Sequence, residues 1–364
     1  MRILFCDNSL RAFWNFRGEV AEHFLREGHE VGVVVPRPGE RVVLPHGVKL
    51  FEVEMNPNGS NPLRDVPYAL GLWKIFRRER PDVVFNYTIK PNIYGALAAR
   101  SLGVRTIDVV AGLGYMFNGN SLKKRVGRQM YRTGLRTAER VITLNMTIFE
   151  RLREMGLERL TLLEGGEGVN LKRYDAGGER DWSEVKFLMI ARVLRDKGYT
   201  EYVKAAEIVR RRFAGAKVEL LGPTAFGSPM GVGKEELERD IAEGRIEYLG
   251  ETGDVRPWLG RGGTVMVLPS WHEGLSRSLM EACAMGCPCI ASDIPGCREA
   301  IDDGVNGYLV EPHDAQGLAE AMIRVIELTP AERRAMGAAS RRKAEREFGV
   351  ERVIEKYEEI LRSL

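Results

Sequence analysis

Residues 269–295 read PSWHEGLSRSLMEACAMGCPCIASDIP, and this stretch decides the fold class. The apolar residues 264–268 before it are typical of a buried strand, which Pro269 ends. A polar loop then leads into a helix predicted over 279–285, a glycine stops that helix, and a second strand follows. This order of elements predicts a parallel sheet, in which ligands bind where strands end and helices begin.

Two carboxylates flank the loop, Glu273 within it and Glu281 in the helix, with seven residues between them. Helix N-termini in such loops present free N–H groups that suit phosphate. A purely structural interpretation also exists, because Ser278 and Glu281 have the spacing of a capping box. Spacing alone favours the cap.

The Glu-x7-Glu pattern and the small-residue, Gly-x-Pro and Ala-Ser segments after it resemble the signature of retaining glycosyltransferases of the large family 4, which have the GT-B fold. The resemblance implies that Glu281 binds the ribose hydroxyls of a nucleotide sugar and that Glu273 lies near the transferred sugar. It also places the backbone of Gly274, Leu275 and Ser276 against the diphosphate. Because the whole stretch 269–295 resembles the family signature, we favour the role of Glu281 in binding a nucleotide sugar over its role in a helix cap.

A second match to this family lies in residues 191–198, ARVLRDKG, after a predicted strand. Arg192 and Lys197 resemble the family's diphosphate-binding pair, and two cations at a strand end can neutralise a leaving nucleoside diphosphate. A less specific resemblance implies that the segment containing Tyr248, Leu249 and Thr252 lies beside the base of the nucleotide.

The chain opens with a strand, a polar loop over 7–17, a helix over 19–26 and another strand, a Rossmann-like pattern. The loop lacks Gly-x-Gly-x-x-Gly, so we predict no dinucleotide site. In GT-B enzymes this loop faces the cleft between the domains. Arg17, expected just before the helix, is either a ligand of a phosphate or of the acceptor, or a solvated arginine.

The segments YTIKPNIYG (87–95) and GLGY (112–115) resemble a narrower branch of the family, whose members add N-acetylhexosamines or related sugars to undecaprenyl-diphosphate-linked sugars. Thr88 and Lys90 follow a predicted strand and would face the acceptor. Lys90 suits a diphosphate, although it is also compatible with a surface lysine.

Many members of the family carry a histidine in the next loop, near the transferred sugar. That loop, 109–118, contains no histidine in this chain. We therefore expect the backbone of Gly112 and Gly114 to approach the ligand instead.

Residues 121–140 are predicted to form a basic amphipathic helix, a pattern typical of membrane-surface elements. The apolar residues Leu122, Val126 and Met130 are expected on one face, which Tyr131 would extend. The cations expected to contact an anionic membrane are Lys123, Lys124, Arg125, Arg128 and Arg132. The alternative is a core-facing helix with a solvated basic side, and a lipid-linked acceptor favours the membrane.

A length of 364 residues suits two domains. We predict an N-terminal, acceptor-binding Rossmann-like domain over 1–168 and a nucleotide-sugar-binding one over 169–347. A last helix over 348–364 is expected to return to the first domain. The boundary falls in the glycine-rich segment EGGEGVN, where Glu167 replaces the serine or asparagine that is usual in the family.

The composition excludes several classes of protein. A net charge of +3 is too small to indicate nucleic-acid binding, and no apolar run is long enough for a membrane span. The N-terminus does not resemble a signal peptide, and an odd count of five cysteines is typical of reduced thiols in a cytoplasm. Four of them cluster, which leaves open a metal site but favours small buried residues: Cys283, Cys287, Cys289 and Cys297.

The sequence therefore predicts an α/β protein of GT-B fold, with two Rossmann-like domains facing a cleft. Its expected reaction moves a hexosyl or N-acetylhexosaminyl group from a UDP-sugar to a polyprenyl-diphosphate-linked glycan, with retention, at the inner face of the plasma membrane. No cofactor or metal is expected, because no Asp-x-Asp motif is present. The alternatives are a UDP-sugar epimerase on the same scaffold and a non-catalytic lipid-glycan-binding protein. A covalent intermediate on Glu273 is the alternative mechanism.

Overall fold

The computed structural model describes most of the chain, namely residues 1–37, 44–55, 62–113, 117 and 121–364, and of Lys123 the backbone alone. The chain divides into two compact units. Unit 1 comprises Met1–Gly168 and Val350–Leu364, and unit 2 comprises Val169–Gly349. None of the helices in the described ranges is both long and apolar enough to cross a membrane.

Unit 1 is a parallel sheet with helices on both faces. Its described strands are β1 (Arg2–Cys6), β2 (Glu30–Pro36), β3 (Lys49–Val53), β4 (Val83–Tyr87), β5 (Arg105–Val110), β6 (Arg140–Thr143) and β7 (Leu160–Leu162). Its helices are α1 (Leu10–Arg26), α2 (Val66–Glu79), α3 (Ala96–Ser101), α4 (Leu122–Leu135), α5 (Met146–Glu154) and α12 (Val350–Arg362). A 3₁₀ turn, Pro62–Asp65, precedes α2, and a π-helical turn, Pro91–Gly95, precedes α3.

The strands of unit 1 lie in the order β3-β2-β1-β4-β5-β6-β7. The chain leaves β1 towards β2 on one side, and β4 occupies the other side, so the order reverses between β1 and β4. In open parallel sheets such a reversal leaves a crevice at the carboxyl ends of the two strands, where ligands bind. The last helix, α12, belongs to this unit because Val353, Tyr357 and Ile360 pack into the core on the α1 side of the sheet.

Unit 2 has the same architecture. Its described strands are β8 (Lys186–Ile190), β9 (Lys217–Leu221), β10 (Glu247–Tyr248), β11 (Thr264–Leu268), β12 (Cys289–Ser292) and β13 (Gly307–Val310). Its helices are α6 (Tyr199–Arg212), α7 (Lys234–Ala242), α8 (Arg256–Leu259), α9 (Arg277–Ala284), α10 (Ala315–Glu327) and α11 (Pro330–Glu347), with a 3₁₀ turn at Arg195–Lys197.

The strands of unit 2 are parallel in the order β10-β9-β8-β11-β12-β13, so the order reverses between β8 and β11. These two strands are directly paired, with Leu188 opposite Met266. Both are buried, β11 completely, because helices cover both faces of the sheet. The crevice predicted for a ligand therefore lies where β8 and β11 end, and the two loops that follow them carry the sequence motifs.

Candidate active site

Lys197 and Glu273 meet at the reversal between β8 and β11. The Lys197 Nζ lies 2.7 Å from Glu273 Oε1. The hydroxyl of Ser270 donates to the same oxygen at 2.7 Å. The exposed fractions are only 20% for the lysine side chain and 12% for that of the glutamate. The two predicted motifs therefore form one charged, half-buried cluster.

The loops after β8 and β11 are held together by backbone contacts. Gly198 has a φ of +83°, and a Cβ there would lie 2.0 Å from the carbonyl oxygen of Pro269. The N–H of Trp271 donates to the carbonyl of Asp196 at 2.9 Å. This close approach, which only glycine permits, sets the position of Lys197.

Arg192 stands apart from this cluster. It is exposed and, in the part of unit 2 that the structure describes, forms no ion pair. Its predicted pairing with Lys197 on a diphosphate stays a prediction.

Helix α9 begins at Ser276, whose hydroxyl accepts a hydrogen bond from the N–H of Leu279 at 3.4 Å. The capping box of Ser278 with Glu281 is thus not the arrangement of this helix. Glu281 Oε1 instead accepts from the hydroxyl of Tyr174 and from Nε of Arg277, each at 2.9 Å. The side chain of Glu281 is therefore turned away from a capping position.

The loop ahead of α9 packs on Gly296, whose φ is +88°. The N–H of Ser276 donates to the carbonyl of Gly296 at 3.3 Å, so that donor is engaged in this structure. Contacts of a diphosphate with the backbone of Gly274, Leu275 and Ser276 remain a prediction.

The predicted base-binding segment lies at the edge strand β10. The Tyr248 hydroxyl donates to the carbonyl of Gly222 at 2.9 Å, and the N–H of Leu249 donates to the carbonyl of Leu220 at 2.8 Å. Thr252 closes a turn, since its hydroxyl accepts from the N–H of Asp254 at 3.1 Å. These contacts order the segment, and its role in binding a base is untested.

Arg17 lies in the middle of α1, and its expected position in a loop is wrong. The helix starts at Leu10, nine residues before the predicted start at 19, because the side chain of Ser9 caps it by accepting from the N–H of Ala12 at 3.2 Å. Arg17 is buried at the β1–β4 reversal, 2.8 Å from Asp7 and 2.6 Å from Glu167. It is therefore not a solvated arginine.

The cation of Arg17 is fully committed to its neighbours. Its guanidinium also lies 3.9 Å from the ring centroid of Tyr87. Burial acts to lower the pKa of Arg17, but the charges of Glu167 and Asp7 outweigh it and raise that pKa. Glu167, whose place in the family pattern is unusual, thus serves as a partner of a buried cation.

Thr88 and Lys90 follow β4 at its carboxyl end, as predicted. Thr88 has a φ of +68°, which is strained for a β-branched residue, and its buried hydroxyl has no hydrogen-bond partner among the described atoms. Lys90 forms an ion pair with Asp65, which also accepts from the hydroxyl of Tyr94 at 3.1 Å. Lys90 is thus half-buried and paired, unlike a surface lysine.

Of the two glycines predicted to approach a ligand, Gly112 is exposed, and a Cβ there would meet no atom of the described residues within 4 Å. Gly114 lies outside the described residues.

A buried polar cluster supports the segment that carries Thr88. Asn86 donates to Asp108 Oδ1 at 2.8 Å, and Asn92 donates to the carbonyl of Val109 at 3.0 Å. Burial raises the pKa of Asp108 well above its usual value, and its Oδ2 has no described partner. Burial therefore favours the neutral form of the Asp108 carboxyl beneath the turn.

Helix α4 divides its apolar residues between two sides, which corrects the predicted single face. Leu122 and Val126 have exposed fractions of 76% and 49%. Tyr131 is fully buried, and Met130 packs against the same core. Gly134 fixes this orientation, because a Cβ there would lie 2.4 Å from the carbonyl oxygen of Asn92.

The basic residues of α4 differ in their exposure. Arg125 is exposed, and Lys124, Arg128 and Arg132 are half-buried. Of Lys123 the side chain is outside the described part. A second exposed apolar stripe, which the sequence analysis missed, lies at the start of α2, with Leu63, Val66 and Leu70.

The cysteine cluster belongs to the core of unit 2. Cys283, Cys287, Cys289 and Cys297 are buried among apolar side chains, which confirms their interpretation as small buried residues. Cys283 Sγ lies 3.8 Å from Cys289 Sγ. The described residues contain no group of three or more side chains arranged to hold a metal ion.

Both units match glycosyltransferase models. Residues 14–164 match the glycosyl transferase 4-like domain, and residues 184–328 match the glycosyl transferases group 1 family. The chain belongs to these glycosyltransferase families, and it is an enzyme of that class.

Two curated relatives cover most of the chain. The N,N'-diacetylbacillosaminyl-diphospho-undecaprenol alpha-1,3-N-acetylgalactosaminyltransferase of Campylobacter jejuni is 27% identical over 346 residues, covering 90% of both chains. The UDP-Gal:alpha-D-GlcNAc-diphosphoundecaprenol alpha-1,3-galactosyltransferase of Escherichia coli is 24% identical, over 78% of this chain and 76% of its own.

Solved structures confirm the predicted GT-B fold. Sucrose-phosphate synthase from Thermosynechococcus elongatus gives a TM-score of 0.83 at 18% identity, covering 100% of this chain and 98% of that one. Anabaena Alr3699/HepE in complex with UDP-glucose gives 0.82 at 19% identity, with both chains fully covered.

Proposed function

We propose that this glycosyltransferase moves a hexosyl or N-acetylhexosaminyl group from a UDP-sugar to a polyprenyl-diphosphate-linked glycan, with retention of configuration. The observation that carries the proposal is the similarity, over 90% of both chains, to a relative named for transfer to a diphospho-undecaprenol sugar. The α-linkages in the names of both relatives fit retention.

The donor binds in unit 2, where β8 and β11 end. Lys197 and Arg192 neutralise the diphosphate, and the N-terminus of α9 at Ser276 adds its dipole. Glu281 holds the ribose, and the segment with Tyr248, Leu249 and Thr252 lies beside the base. The backbone of Gly274 and Leu275 lines the diphosphate.

In the transfer, the bond between the anomeric carbon and the β-phosphate oxygen breaks, and UDP leaves with the electron pair. The acceptor oxygen bonds to the anomeric carbon from the same face, and its proton passes to the departing phosphate. Glu273 is held by Lys197 and Ser270 through the same oxygen, which suits a carboxylate that stabilises positive charge at the anomeric carbon.

The covalent alternative makes Glu273 the nucleophile and gives a glycosyl ester. Steady turnover by Glu273→Gln excludes it, and a trapped sugar adduct on Glu273 supports it. No catalytic metal is assigned: transfer should survive a chelator, and a loss that magnesium restores would contradict this.

The acceptor binds in unit 1, at the carboxyl end of β4. Thr88 and Lys90 are the side chains best placed for it. Thr88 is strained, and its buried hydroxyl has no partner among the residues that the structure describes. Lys90 must exchange Asp65 for the acceptor's diphosphate. The backbone of Gly112 and Gly114 is assigned to approach the ligand. Arg17 is assigned a structural role, because Asp7 and Glu167 already neutralise it.

The exposed side of α4 contacts the anionic inner face of the plasma membrane, which brings a cytoplasmic enzyme to its lipid-linked acceptor. Leu122 and Val126 supply the apolar contact. The cations assigned to this contact are Lys123, Lys124, Arg125, Arg128 and Arg132. Each cation near an anionic surface adds about 1 kcal/mol.

The test is UDP release from a panel of UDP-sugars, with and without a polyprenyl-diphosphate-linked sugar. Release that requires the acceptor and favours one donor supports the transferase and names its donor. Equal release with and without the acceptor contradicts it.

A further inference from the structure

The carboxylate of Glu281 is fixed through one of its two oxygens. The hydroxyl of Tyr174 and Nε of Arg277 both donate to Oε1, each at 2.9 Å. The glutamate side chain is 12% exposed, so these bonds are partly shielded from water. The last torsion of a glutamate is broad when nothing constrains it, and two charge-assisted hydrogen bonds constrain it here.

The backbone of Tyr174 is connected through Arg341 of α11 to the helix that carries Glu281. The N–H of Tyr174 donates to the carbonyl of Asn170 at 2.8 Å, which closes a turn. Its carbonyl accepts from Nη1 of Arg341 at 2.7 Å, and the same nitrogen donates to the carbonyl of Ala284, the last residue of α9, at 2.7 Å. These contacts fix the backbone of Tyr174, and its partly buried ring packs against the apolar core of unit 2.

The protonation of Tyr174 suits this role. Burial and the charge of Glu281 raise the pKa of its phenol. The hydroxyl is therefore a donor throughout the neutral range, and Glu281 is the acceptor.

We propose that Tyr174 and Arg277 are positioning residues that hold Oε1 of Glu281, so that Oε2 is presented to the ribose hydroxyls of the bound nucleotide. The inference rests on the proposed function, which makes Glu281 the ribose ligand. A site built to hydrogen-bond a hydroxyl rejects an analogue that lacks it. Tyr174 therefore acts on the discrimination between ribose and deoxyribose nucleotides, and not on phosphate binding.

The test is calorimetric titration of the whole chain with UDP and with 2′,3′-dideoxy-UDP. Wild type should bind UDP more tightly than the dideoxy compound. Tyr174→Phe should weaken UDP binding by about tenfold and leave binding of the dideoxy compound unchanged, so the ratio of the two affinities falls. In transfer assays the same variant should raise KM for the donor and leave kcat near that of wild type.

Tyr202→Phe is the matched control, because it also removes a buried hydroxyl from unit 2, one that donates to the carbonyls of Phe187 and Glu219. It should leave the affinity ratio unchanged. Unaltered UDP binding by Tyr174→Phe, or equal losses for both nucleotides, would overturn the inference while leaving the proposed function standing. A wild-type chain that does not bind UDP would overturn the proposed function itself, and the inference with it.

Discussion

The ammonium of Lys197 lies 2.7 Å from a carboxylate oxygen of Glu273, and the two residues come from the loops after neighbouring parallel strands. A nucleoside diphosphate that binds there meets a cation whose position is already fixed. Fixed charges that need no reorganisation during the reaction are among the largest catalytic effects.

Removal of this cation should therefore slow transfer. Lys197→Ala is expected to lower kcat by about 100-fold or more, measured as UDP release with acceptor present. Lys217→Ala is the control, since that lysine pairs with Glu184 on the surface of the same unit, and it should keep wild-type activity. A Lys197→Ala variant with wild-type kcat would show that Lys197 has no role in the reaction.

The close contact between Gly198 and Pro269 should be required for UDP binding, because it sets the position of Lys197. Gly198→Ala forces a Cβ against the carbonyl of Pro269, whereas Gly244 has a similar φ of +69° and open space around it. Gly244→Ala should cost about 1–2 kcal/mol of stability and leave UDP affinity intact. Gly198→Ala should cost more and weaken UDP binding. If the two substitutions lowered stability equally and left UDP affinity equal, the contact between Gly198 and Pro269 would be unimportant.

The buried ion pairs of Arg17 should stabilise unit 1. Arg17→Met leaves Asp7 and Glu167 buried without their cation, which is expected to cost about 3–5 kcal/mol. Hydrogen exchange should accelerate at the amides of β1 and β4. Arg26→Met, at the exposed end of the same helix, should have little effect. Unchanged exchange in Arg17→Met would contradict a structural role for this arginine.

Asp108 should make stability depend on pH. Burial raises its pKa above the ordinary 3.8, so the native chain binds more protons than the unfolded chain between that value and its raised pKa. Stability therefore falls as pH rises through this interval, by at most about 1.4 kcal/mol per pH unit from this group. Asp108→Asn lacks the effect, so its stability relative to wild type, from urea unfolding at several pH values, should increase with pH. A constant difference would mean that native Asp108 is ionised.

The exposed apolar pair on α4 should be required at the membrane. A Leu122→Ser, Val126→Ser double variant is expected to bind anionic vesicles at least about tenfold more weakly, measured by flotation. Val305→Ser is the control, because Val305 is similarly exposed but lies in unit 2. High salt should weaken the wild-type interaction. Vesicle binding that survives the double substitution would show that this face of α4 does not contact the membrane.

The sequence was most informative for functional residues that lie close together along the chain. The resemblance of residues 269–295 to the signature of family 4 predicted the GT-B fold, whereas the spacing of Glu273 and Glu281 alone favoured a helix cap. Lys197 was predicted by a short motif that follows a strand. In each case the residues lie within one strand–loop–helix unit, and a single stretch of sequence describes the unit.

Relationships between distant residues could not be predicted. Arg17 was placed in a loop because the local cap at Ser9 was not recognised. Its burial could not be predicted because it depends on Glu167, which is 150 residues away and pairs with it only in the folded unit. Tyr174 lies 107 residues from Glu281, and no local pattern connects them. The orientation of α4 depends on the contact between Gly134 and the backbone of Asn92, which periodicity does not reveal.

The most direct measurement is mass spectrometry of the lipid after incubation of the enzyme with a UDP-sugar and a polyprenyl-diphosphate-linked sugar in vesicles. The proposed function predicts that the lipid gains one sugar residue, that UDP appears in equal amount, and that Lys197→Ala forms little of either product. A lipid of unchanged mass under conditions where the enzyme consumes the UDP-sugar would contradict the proposed transfer.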